Sequence, residues 1–299
     1  MTDIPIGFAE LDLSDLTDQP IGILIPLLAA RLTGDWPELD VQVLLANVFK
    51  KPRTWLLAHP DLYLPPDQAR LLASDLALLE LGEPLPYVIG HWEFFGLDLE
   101  INRDVLIPRP ETELLVEKAI GWLQSHPAKR RLADVGTGSG CISSAIAVHV
   151  PDVRILATDI SLPALRTARS NARMHQIADR IDFIQCDLLP PLRSSRFKLD
   201  LICANLPYIP TQKLLGLPVY GHEPDLALNG GESGLELLLK LMQIAPGWLN
   251  SDGCLLLEVE ASLGFKAVAM AHDNFPDAEI RLHKDLTGSD RLLEINLRD

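Results

Sequence analysis

The sequence has 299 residues, of which 47% are apolar, and its formal net charge is −15. This composition supports a packed core and argues against long disordered stretches. Because an acidic surface repels a phosphate backbone, the charge also argues against DNA or rRNA as the substrate and suits a basic protein partner.

The cysteines and histidines give no sign of a disulfide framework or of a metal site. The four cysteines lie inside or beside apolar runs and form no C-x-x-C pair, so we interpret them as buried small side chains in a reducing compartment. The acidic N-terminus lacks the pattern of a secretory signal. The apolar run from Ile21 to Leu32 is too short to span a bilayer. We therefore expect a cytoplasmic protein with no metal and no membrane segment.

The first predicted elements are helices, which extend from Ile21 to Gly82 after an acidic arm at residues 1–20. Apolar residues recur there at steps of three and four, as in Leu44 and Val48, and turns rich in Pro or Gly separate the segments. The pattern predicts about four short helices. Residues 1–84 are thus predicted to be a helical bundle that docks a substrate, with a purely structural accessory as the alternative.

The hydrophobic period changes after this bundle. Short runs at Tyr87–Gly90, Trp92–Gly96 and Leu97–Ile101 have the composition of strands and are separated by turn residues. We predict a β-hairpin linker over residues 85–108.

From residue 109 to residue 299, strand and helix patterns alternate. Such alternation predicts an α/β domain whose sheet is mostly parallel and covered by helices on both faces. The seven predicted strands are Arg131–Val135, Arg154–Thr158, Ile181–Gln185, Leu199–Ala204, Cys254–Val259, Ala278–His283 and Arg291–Asn296. The last two lie close together in the sequence, which predicts an antiparallel edge.

The strongest signal is the glycine-rich turn from Gly136 to Gly140, which follows an apolar strand and precedes a helix. Glycines at such a junction let the backbone approach a ligand closely. The dinucleotide fingerprint would need Gly or Ala at the position of Cys141, and no Walker A lysine follows. The G-x-G-x-G spacing is instead typical of class I methyltransferases, which use S-adenosylmethionine.

Two acidic positions at the ends of the next strands extend this predicted nucleoside site. Asp159 ends the second strand, where a carboxylate can accept hydrogen bonds from both ribose hydroxyls. Asp187 ends the third strand beside Leu188, and this pair suits the edge and the face of an adenine ring. The predicted cofactor-binding residues are Gly136, Thr137, Gly138, Ser139, Gly140, Asp159, Ile160, Asp187, Leu188 and Asn205.

The second signal, Asn205-Leu206-Pro207-Tyr208, directly follows the fourth strand and resembles the Asn/Asp/Ser–Pro/Leu–Pro–aromatic motif of amino-group methyltransferases. A planar amide nitrogen is a poor nucleophile, because its lone pair is delocalised. An Asn side-chain oxygen and a backbone carbonyl can accept its two N–H bonds and fix its orientation. The ring of Tyr208 can stack on the planar group. These four residues are the predicted catalytic and substrate-binding residues.

Further segments stand in a characteristic order along the chain. They are Gly82–Gly90, Glu93–Leu97, Val105–Glu113, Glu223-Pro224 with Ala227-Leu228, Gly230-Gly231, and Lys284–Gly288 with Asp290-Arg291. Together with the two motifs, and over the chain from around Trp36 to the C-terminus, they resemble the protein-(glutamine-N5) methyltransferases of peptide-chain release factors, the PrmC/HemK family.

The resemblance implies a helical N-terminal domain, a hairpin linker and a Rossmann-like class I methyltransferase domain. It implies S-adenosylmethionine as the cofactor and, as the substrate, the glutamine amide in the Gly-Gly-Gln tripeptide of a release factor. Asn205 to Tyr208 would bind that glutamine, and Arg109 and Glu113 would bind substrate near the mouth of the site. A monomer without a stable nucleic-acid partner is expected.

Two departures from the family pattern keep other interpretations open. Leu206 stands where the family usually has proline. The resulting sequence, Asn-Leu-Pro-Tyr, is also found in rRNA adenine dimethyltransferases. Glu260 stands in a segment that reads E-I-G in the family. The backbone carbonyl of residue 206 and the extended bias imposed by Pro207 remain, so activity is expected to survive. The alternatives are a glutamine methyltransferase acting on a ribosomal protein, an rRNA or DNA adenine N6-methyltransferase, an NAD-linked oxidoreductase, and a binding module without activity.

Overall fold

The computed structural model describes residues 13–191 and 198–298, and it divides into two compact units, one up to Gly90 and one from His91 onward. Most of the predicted acidic arm, residues 1–12, lies outside the described part of the chain. None of the helices in these two ranges combines the length and the apolar composition that a membrane span requires.

The described part of the first unit consists of six helices. They are α1 (Leu13–Thr17), α2 (Ile21–Ala29), α3 (Pro37–Phe49), α4 (Arg53–Leu57), α5 (Pro66–Glu80) and α6 (Leu85–Ile89). Prolines begin α3 and α5, because the fixed φ of proline suits the first helical position and its missing N–H would have no partner there. Leu44 and Leu45 on α3 and Leu72 and Leu76 on α5 are fully buried. The predicted four helices between Ile21 and Gly82 are confirmed.

The segment predicted as a strand at Tyr87–Gly90 belongs to helix α6, so that prediction is wrong. α6 begins after Pro84 and has Pro86 in its first turn, where the fixed backbone angle of proline favours a helical start. It ends at Gly90, whose φ of +80° closes the helix in the left-handed region. An apolar run as short as this one cannot be assigned to strand or helix by its periodicity.

A β-hairpin opens the second unit and is formed by the antiparallel strands β1 (His91–Phe94) and β2 (Leu97–Glu100). Its two-residue turn, Phe95-Gly96, has φ values of +52° and +75°, as a type I′ turn requires. The boundary between the two compact units falls just before this hairpin, after Gly90, whereas the sequence predicts a helical domain that ends at residue 84 and a linker over residues 85–108.

The second unit is built on a seven-stranded sheet. Its strands are β3 (Arg131–Val135), β4 (Arg154–Asp159), β5 (Ile181–Gln185), β6 (Leu199–Ala204), β7 (Leu249–Glu258), β8 (Glu279–Lys284) and β9 (Asp290–Asn296). Its helices are α7 (Glu113–Ser125), α8 (Cys141–His149), α9 (Leu162–Met174), α10 (Thr211–Leu214), α11 (Asp225–Leu228), α12 (Glu236–Trp248) and α13 (Gly264–Asn274). A 3-10 turn at Pro110–Thr112 leads into α7.

The strand order is β5-β4-β3-β6-β7-β9-β8, and of these seven described strands β9 alone runs opposite to the other six, so that its pairings with β7 and β8 are antiparallel. The predicted α/β sheet, mostly parallel with an antiparallel edge region, is confirmed. Every residue of β6 is buried, as expected for a central strand that is covered on both faces.

The topology decides where a ligand can bind. The chain runs outward from β3 to β5 and then returns to the other side of β3 with β6, which makes the gap between β3 and β6 a topological switch point. Because these strands are parallel, their carboxyl ends at Val135, Asp159 and Ala204 lie at the same edge of the sheet. The two sequence motifs begin there.

Candidate active site

A cavity of about 310 Å³ opens at the carboxyl ends of β3, β4 and β6, and its volume falls in the range of small-molecule sites. The predicted site residues that line it are Arg109, Gly136, Thr137, Gly138, Ser139, Asp159, Ile160, Asp187, Leu188, Asn205, Leu206 and Pro207. Tyr208 lines a smaller neighbouring cavity, and Gly140 and Glu113 lie outside both linings.

The glycine turn after β3 leaves open space for a ligand. Gly136 and Gly138 have φ values of +73° and +54°, which side chains other than glycine rarely adopt. A Cβ atom on Gly138 would meet no atom of the described chain within 4 Å, so the cavity lies directly in front of it. The Gly138 amide donates a hydrogen bond to Asp159 Oδ2 at 2.9 Å, which ties the turn to the end of β4.

Asp159 is held by backbone donors on both of its oxygens. Besides the Gly138 amide, the Ser161 amide donates to Asp159 Oδ1 at 2.8 Å. Burial raises the pKa of Asp159 above its ordinary value, and the backbone donors act in the opposite direction. Each carboxylate oxygen has a second lone pair, so Asp159 can still accept hydrogen bonds from a pair of neighbouring hydroxyls in the cavity.

A second carboxylate, Asp134 on β3, stabilises the turn by accepting hydrogen bonds from residues within it and after it. Its Oδ2 accepts hydrogen bonds from the Thr137 hydroxyl at 2.7 Å and from the Ser143 amide at 3.1 Å. Burial raises the pKa of Asp134 to about 6. The sequence motif contained Asp134, but its role was not predicted. The signal was its position one residue before the end of the strand that feeds the turn.

Gly140 serves the packing of α8 against α9 rather than the cavity. Its φ is +77°, and a Cβ atom there would lie 3.1 Å from the Cα atom of Ala168 on α9. Glycine is therefore required at this position by helix packing. Glycine is thus needed at Gly138 and at Gly140 for different structural reasons, and the spacing of the glycines in the sequence does not reveal the difference.

Leu188, after β5, forms part of the apolar wall. Its φ of +56° is unusual for a residue with a side chain and costs about 1–2 kcal/mol. The Thr158 hydroxyl donates to the Leu188 carbonyl at 2.6 Å and helps to hold this conformation. Ile160 also lines the cavity and is 51% exposed. Together they offer flat apolar surface to a ring.

The segment after β6 forms another part of the same cavity. Asn205 Nδ2 donates to Thr112 Oγ1 at 3.1 Å. Among the residues that the structure describes, the Asn205 side-chain oxygen has no protein partner, so it is available as an acceptor. The Leu206 side chain is buried, and its Cδ2 atom would lie 3.0 Å from a Cβ on Gly136. Leu206 therefore packs directly against the glycine turn.

Tyr208 lies beside the main cavity. It lines a neighbouring space of about 140 Å³, which shares Arg109, Asn205 and Pro207 with the larger one. Burial raises the pKa of Tyr208 to about 12, so its phenol keeps its proton at neutral pH. Since Tyr208 lies in this neighbouring cavity, the stacking of its ring on a substrate stays a prediction.

Two glycines far along the chain press against the backbone of this segment. A Cβ atom on Gly230 would lie 2.7 Å from both the Pro207 carbonyl oxygen and the Tyr208 Cα atom. A Cβ atom on Gly234 would lie 2.3 Å from the Tyr208 carbonyl oxygen. Because both distances are shorter than any relaxed contact, these glycines fix the position of the motif. The sequence offered Gly230 only as part of a family resemblance.

Arg109 and Glu113, the other predicted substrate residues, lie in different surroundings. Arg109 lines both cavities and forms an ion pair with Glu223, which is nearly buried. Glu223 also accepts a hydrogen bond from the Ile107 amide at 3.1 Å. Glu113 instead accepts a hydrogen bond from the Phe95 amide at 3.0 Å, which places its carboxylate at the turn of the hairpin.

Comparison with family models gives two matches along the chain. The model of the PrmC N-terminal domain matches residues 27–90, and the model of the methyltransferase small domain matches residues 111–215. The first falls in the helical unit and its end coincides with Gly90, and the second includes the glycine turn and the Asn205 segment.

The chain is also similar to curated proteins over most of its length. It is 37% identical over 262 residues to the release factor glutamine methyltransferase of Nitratidesulfovibrio vulgaris, and the match covers 87% of this chain and 88% of that protein. It is 39% identical to the protein of the same name from Moorella thermoacetica, with 85% and 89% covered. Among solved structures, the hMettl16 catalytic domain has a similar fold, with a TM-score of 0.52, 20% identity and coverage of 77% and 81%.

Proposed function

The chain belongs to the release factor glutamine methyltransferases, and we propose that it methylates the side-chain amide nitrogen of the glutamine in the Gly-Gly-Gln tripeptide of a peptide-chain release factor, thereby modulating translation termination. S-adenosylmethionine is the methyl donor. One observation carries the proposal. The segment Asn205–Pro207, which can hold an amide, lines the same cavity as Gly138 and Asp159, which can hold a nucleoside.

The chemistry of the cavity fits S-adenosylmethionine. Asp159 supplies acceptors for the ribose hydroxyls, and the open space in front of Gly138 lets the donor approach the backbone. Ile160 and Leu188 offer apolar surface to the adenine ring, and Asp187 offers an acceptor to its amino group. When bound, the donor would supply a methyl group on a positively charged sulfur, and attack by a nitrogen lone pair on that carbon would break its bond to sulfur, so that the electron pair leaves with a neutral thioether.

The protein's own contribution is to orient the substrate amide. The Asn205 side-chain oxygen and the Leu206 carbonyl accept the two N–H bonds of the glutamine amide, which points the nitrogen lone pair toward the methyl carbon. The same acceptors stabilise the positive charge that develops on nitrogen. The methylated nitrogen is a strong acid and loses its proton to water, so no side-chain base is needed.

A pair of glycine substitutions separates packing from donor binding. Gly140→Ala should destabilise the fold by about 2–4 kcal/mol, because the new methyl group meets Ala168 and the backbone is left-handed. Gly138→Ala should cost about 1–2 kcal/mol for its φ alone, but its methyl group enters the cavity and should abolish donor binding. Urea unfolding and calorimetric titration with S-adenosylmethionine check both. Equal stability losses in the two variants would contradict this division of roles.

Gly230→Ala should displace the backbone of the segment from Asn205 to Tyr208. A methyl group 2.7 Å from the Pro207 carbonyl oxygen forces this backbone to move, and a displacement that approaches about 1 Å can reduce kcat by about 100-fold. Gly216→Ala is the matched control, because its methyl group would lie at an ordinary 3.7 Å from the nearest atom, the Lys213 carbonyl oxygen. Unchanged kcat in Gly230→Ala would show that the contact does not position the motif.

The proposal also covers how the release factor docks and where the protein acts. We assign the docking of the release factor to the helical unit before Gly90, and the net charge of −15 suits a basic partner. We place the protein in the cytoplasm, as a monomer that needs no stable nucleic-acid partner.

Label transfer tests the proposal. The purified protein is incubated with donor carrying a radiolabelled methyl group and with an unmodified release factor, in parallel with the Gln→Ala variant of its Gly-Gly-Gln tripeptide. Label in the native factor and none in the variant is the expected result. No label in either, although the donor binds, would overturn the assignment and direct the search to ribosomal-protein glutamines and then to rRNA.

A further inference from the structure

An ion pair lies at the wall that the two cavities of the site share. Arg109 lines both cavities, and its Nη2 atom donates to Glu223 Oε1. The second carboxylate oxygen, Oε2, accepts a hydrogen bond from the Ile107 amide at 3.1 Å. The side chain of Glu223 is 4% exposed and that of Arg109 is 35% exposed. Both oxygens of a nearly buried carboxylate therefore hold the stretch from Ile107 to Arg109.

The backbone is fixed on both sides of this ion pair. Arg109 stands between Pro108 and Pro110, and its φ of −103° and ψ of 142° are the extended values that a following proline favours. Glu223 lies in the segment between α10 and α11, where its amide donates to the Val219 carbonyl at 3.2 Å. The guanidinium thus extends from a restricted backbone to a carboxylate that is itself held in place.

The guanidinium keeps donors for a ligand. It carries five N–H donors in one plane and no acceptor, and its bond to Glu223 uses Nη2. Its Nε and Nη1 atoms have no protein partner in the part of the chain that the structure describes. The described residues that line both cavities include one charged side chain, that of Arg109. They are Leu106, Arg109, Asn205, Leu206, Pro207 and Ala227.

The proposed substrate offers an acceptor at this wall. The side chain of glutamine is short, so a glutamine whose amide reaches Asn205 has its main chain close to the shared wall. The glycine before that glutamine has no side chain to recognise, but its carbonyl oxygen is an acceptor. Without a Cβ atom beside it, a planar group can approach this carbonyl closely. A neutral carbonyl also suits Arg109 better than a second carboxylate would, because Glu223 already compensates the charge of the guanidinium.

We propose that Arg109 binds the main-chain carbonyl of the glycine directly before the target glutamine, and that Glu223 is a positioning residue that holds Arg109 for this contact. A free arginine side chain populates many rotamers, and ordering them when a ligand binds weakens the binding. Glu223 orders the guanidinium before the substrate arrives. This inference rests on the proposed function, since the glycine belongs to the Gly-Gly-Gln tripeptide of that substrate.

Two single variants and their combination test the ion pair. Arg109→Met keeps an apolar stem and removes every donor, and Glu223→Gln has one acceptor oxygen for two donors. Each should raise the Kd for the release factor by about 10- to 100-fold. The Kd for S-adenosylmethionine should stay close to that of the wild type, which shows that the donor site is folded. The double variant should bind the factor no more weakly than Arg109→Met, because Glu223 acts through Arg109.

A change in the substrate tests the carbonyl itself. A release factor that carries the α-hydroxy acid analogue of glutamine at the target position has an ester in place of the glycine–glutamine peptide bond, and an ester carbonyl is a weaker acceptor. This factor should bind the wild type about 2- to 10-fold more weakly than the native factor does. Arg109→Met should bind both factors equally. An equal effect of the ester on both proteins would overturn the contact with the glycine carbonyl.

A matched carboxylate provides the control for stability. Glu294 on β9 also uses both of its oxygens, one with His283 and one with Asn296, and it lies outside the linings of both cavities. Glu294→Gln should therefore keep the wild-type Kd for the release factor. An equal loss of affinity in Glu294→Gln would contradict the positioning role, because the effect would then follow from the removal of any such carboxylate.

A measurement on the free protein tests the positioning alone. In NMR spectra, the guanidinium protons of Arg109 should give separate signals in the wild type, because the bond to Glu223 hinders rotation of the group. They should merge in Glu223→Gln.

The outcomes are separable. Wild-type affinity for the factor in Arg109→Met would overturn the contact, and merged Arg109 signals in the wild type would overturn the positioning role of Glu223. Failure of the wild type to label a release factor would instead sink the proposed function and with it the glycine contact, and the NMR signals would still decide whether Glu223 holds the guanidinium.

Discussion

Asn205→Ala will lower kcat for a release factor by about 100- to 1,000-fold. The substitution removes the side-chain oxygen that holds one N–H bond of the substrate amide and leaves the donor site on β3 and β4 intact. The loss should therefore appear in kcat, because the interaction orients the nitrogen and strengthens as charge develops there. Steady-state kinetics with the native factor, at saturating donor, measure it.

The variant also has a clear control. Asn274→Ala removes an amide that bonds the Met270 carbonyl on α13, far along the chain from the site, and it should leave kcat unchanged. Because Asn205 is also predicted to bind the donor, the donor affinity of Asn205→Ala, measured by calorimetry, should fall by much less than kcat does. A large loss of donor affinity with normal kcat would show that Asn205 serves the donor and not the amide.

Asp159→Asn will have the opposite kinetic signature. An amide keeps one acceptor oxygen but loses the charge, and it can no longer accept from both Gly138 and Ser161. Hydrogen bonds to a charged group contribute about 1.5–3 kcal/mol each, so the Kd for S-adenosylmethionine should rise by about 100-fold. The kcat at saturating donor should change little, because Asp159 is assigned to the donor and not to the glutamine amide of the substrate.

Asp152→Asn is the control for removal of a carboxylate. Asp152 pairs with Arg130 at the surface, and such exposed pairs contribute little to stability. It should bind the donor as the wild type does. If Asp159→Asn bound the donor normally and lost kcat instead, the assignment of the nucleoside half of the cavity would be wrong.

The sheet could be predicted because its strands are long, apolar and separated by helical periods. The strands from Arg131 onward lie close to their predicted places, except that β7 begins at Leu249 and not at Cys254; a buried parallel sheet requires continuous apolar runs. The segment Leu85–Ile89 could not be assigned in this way. It is a short apolar run, and the two prolines around its start decide the helix more than its periodicity does.

The site residues could be predicted where they stand together in a short motif directly after a strand. The glycine turn and the Asn205 segment each follow a strand, so their residues lie together once the strands are parallel. The supporting residues have no such local pattern. Thr112 and Gly230 come from separate parts of the chain, and only the path of the loops brings them to the motif.

Fragmentation mass spectrometry of a release factor, after reaction with the protein and S-adenosylmethionine, tests most directly whether this cavity methylates a glutamine amide of the factor. The expected result is a single methyl group on the side-chain nitrogen of the glutamine in the Gly-Gly-Gln tripeptide, present with the wild type and absent with Asn205→Ala. A methyl group at any other residue, or equal modification by Asn205→Ala, would contradict the account.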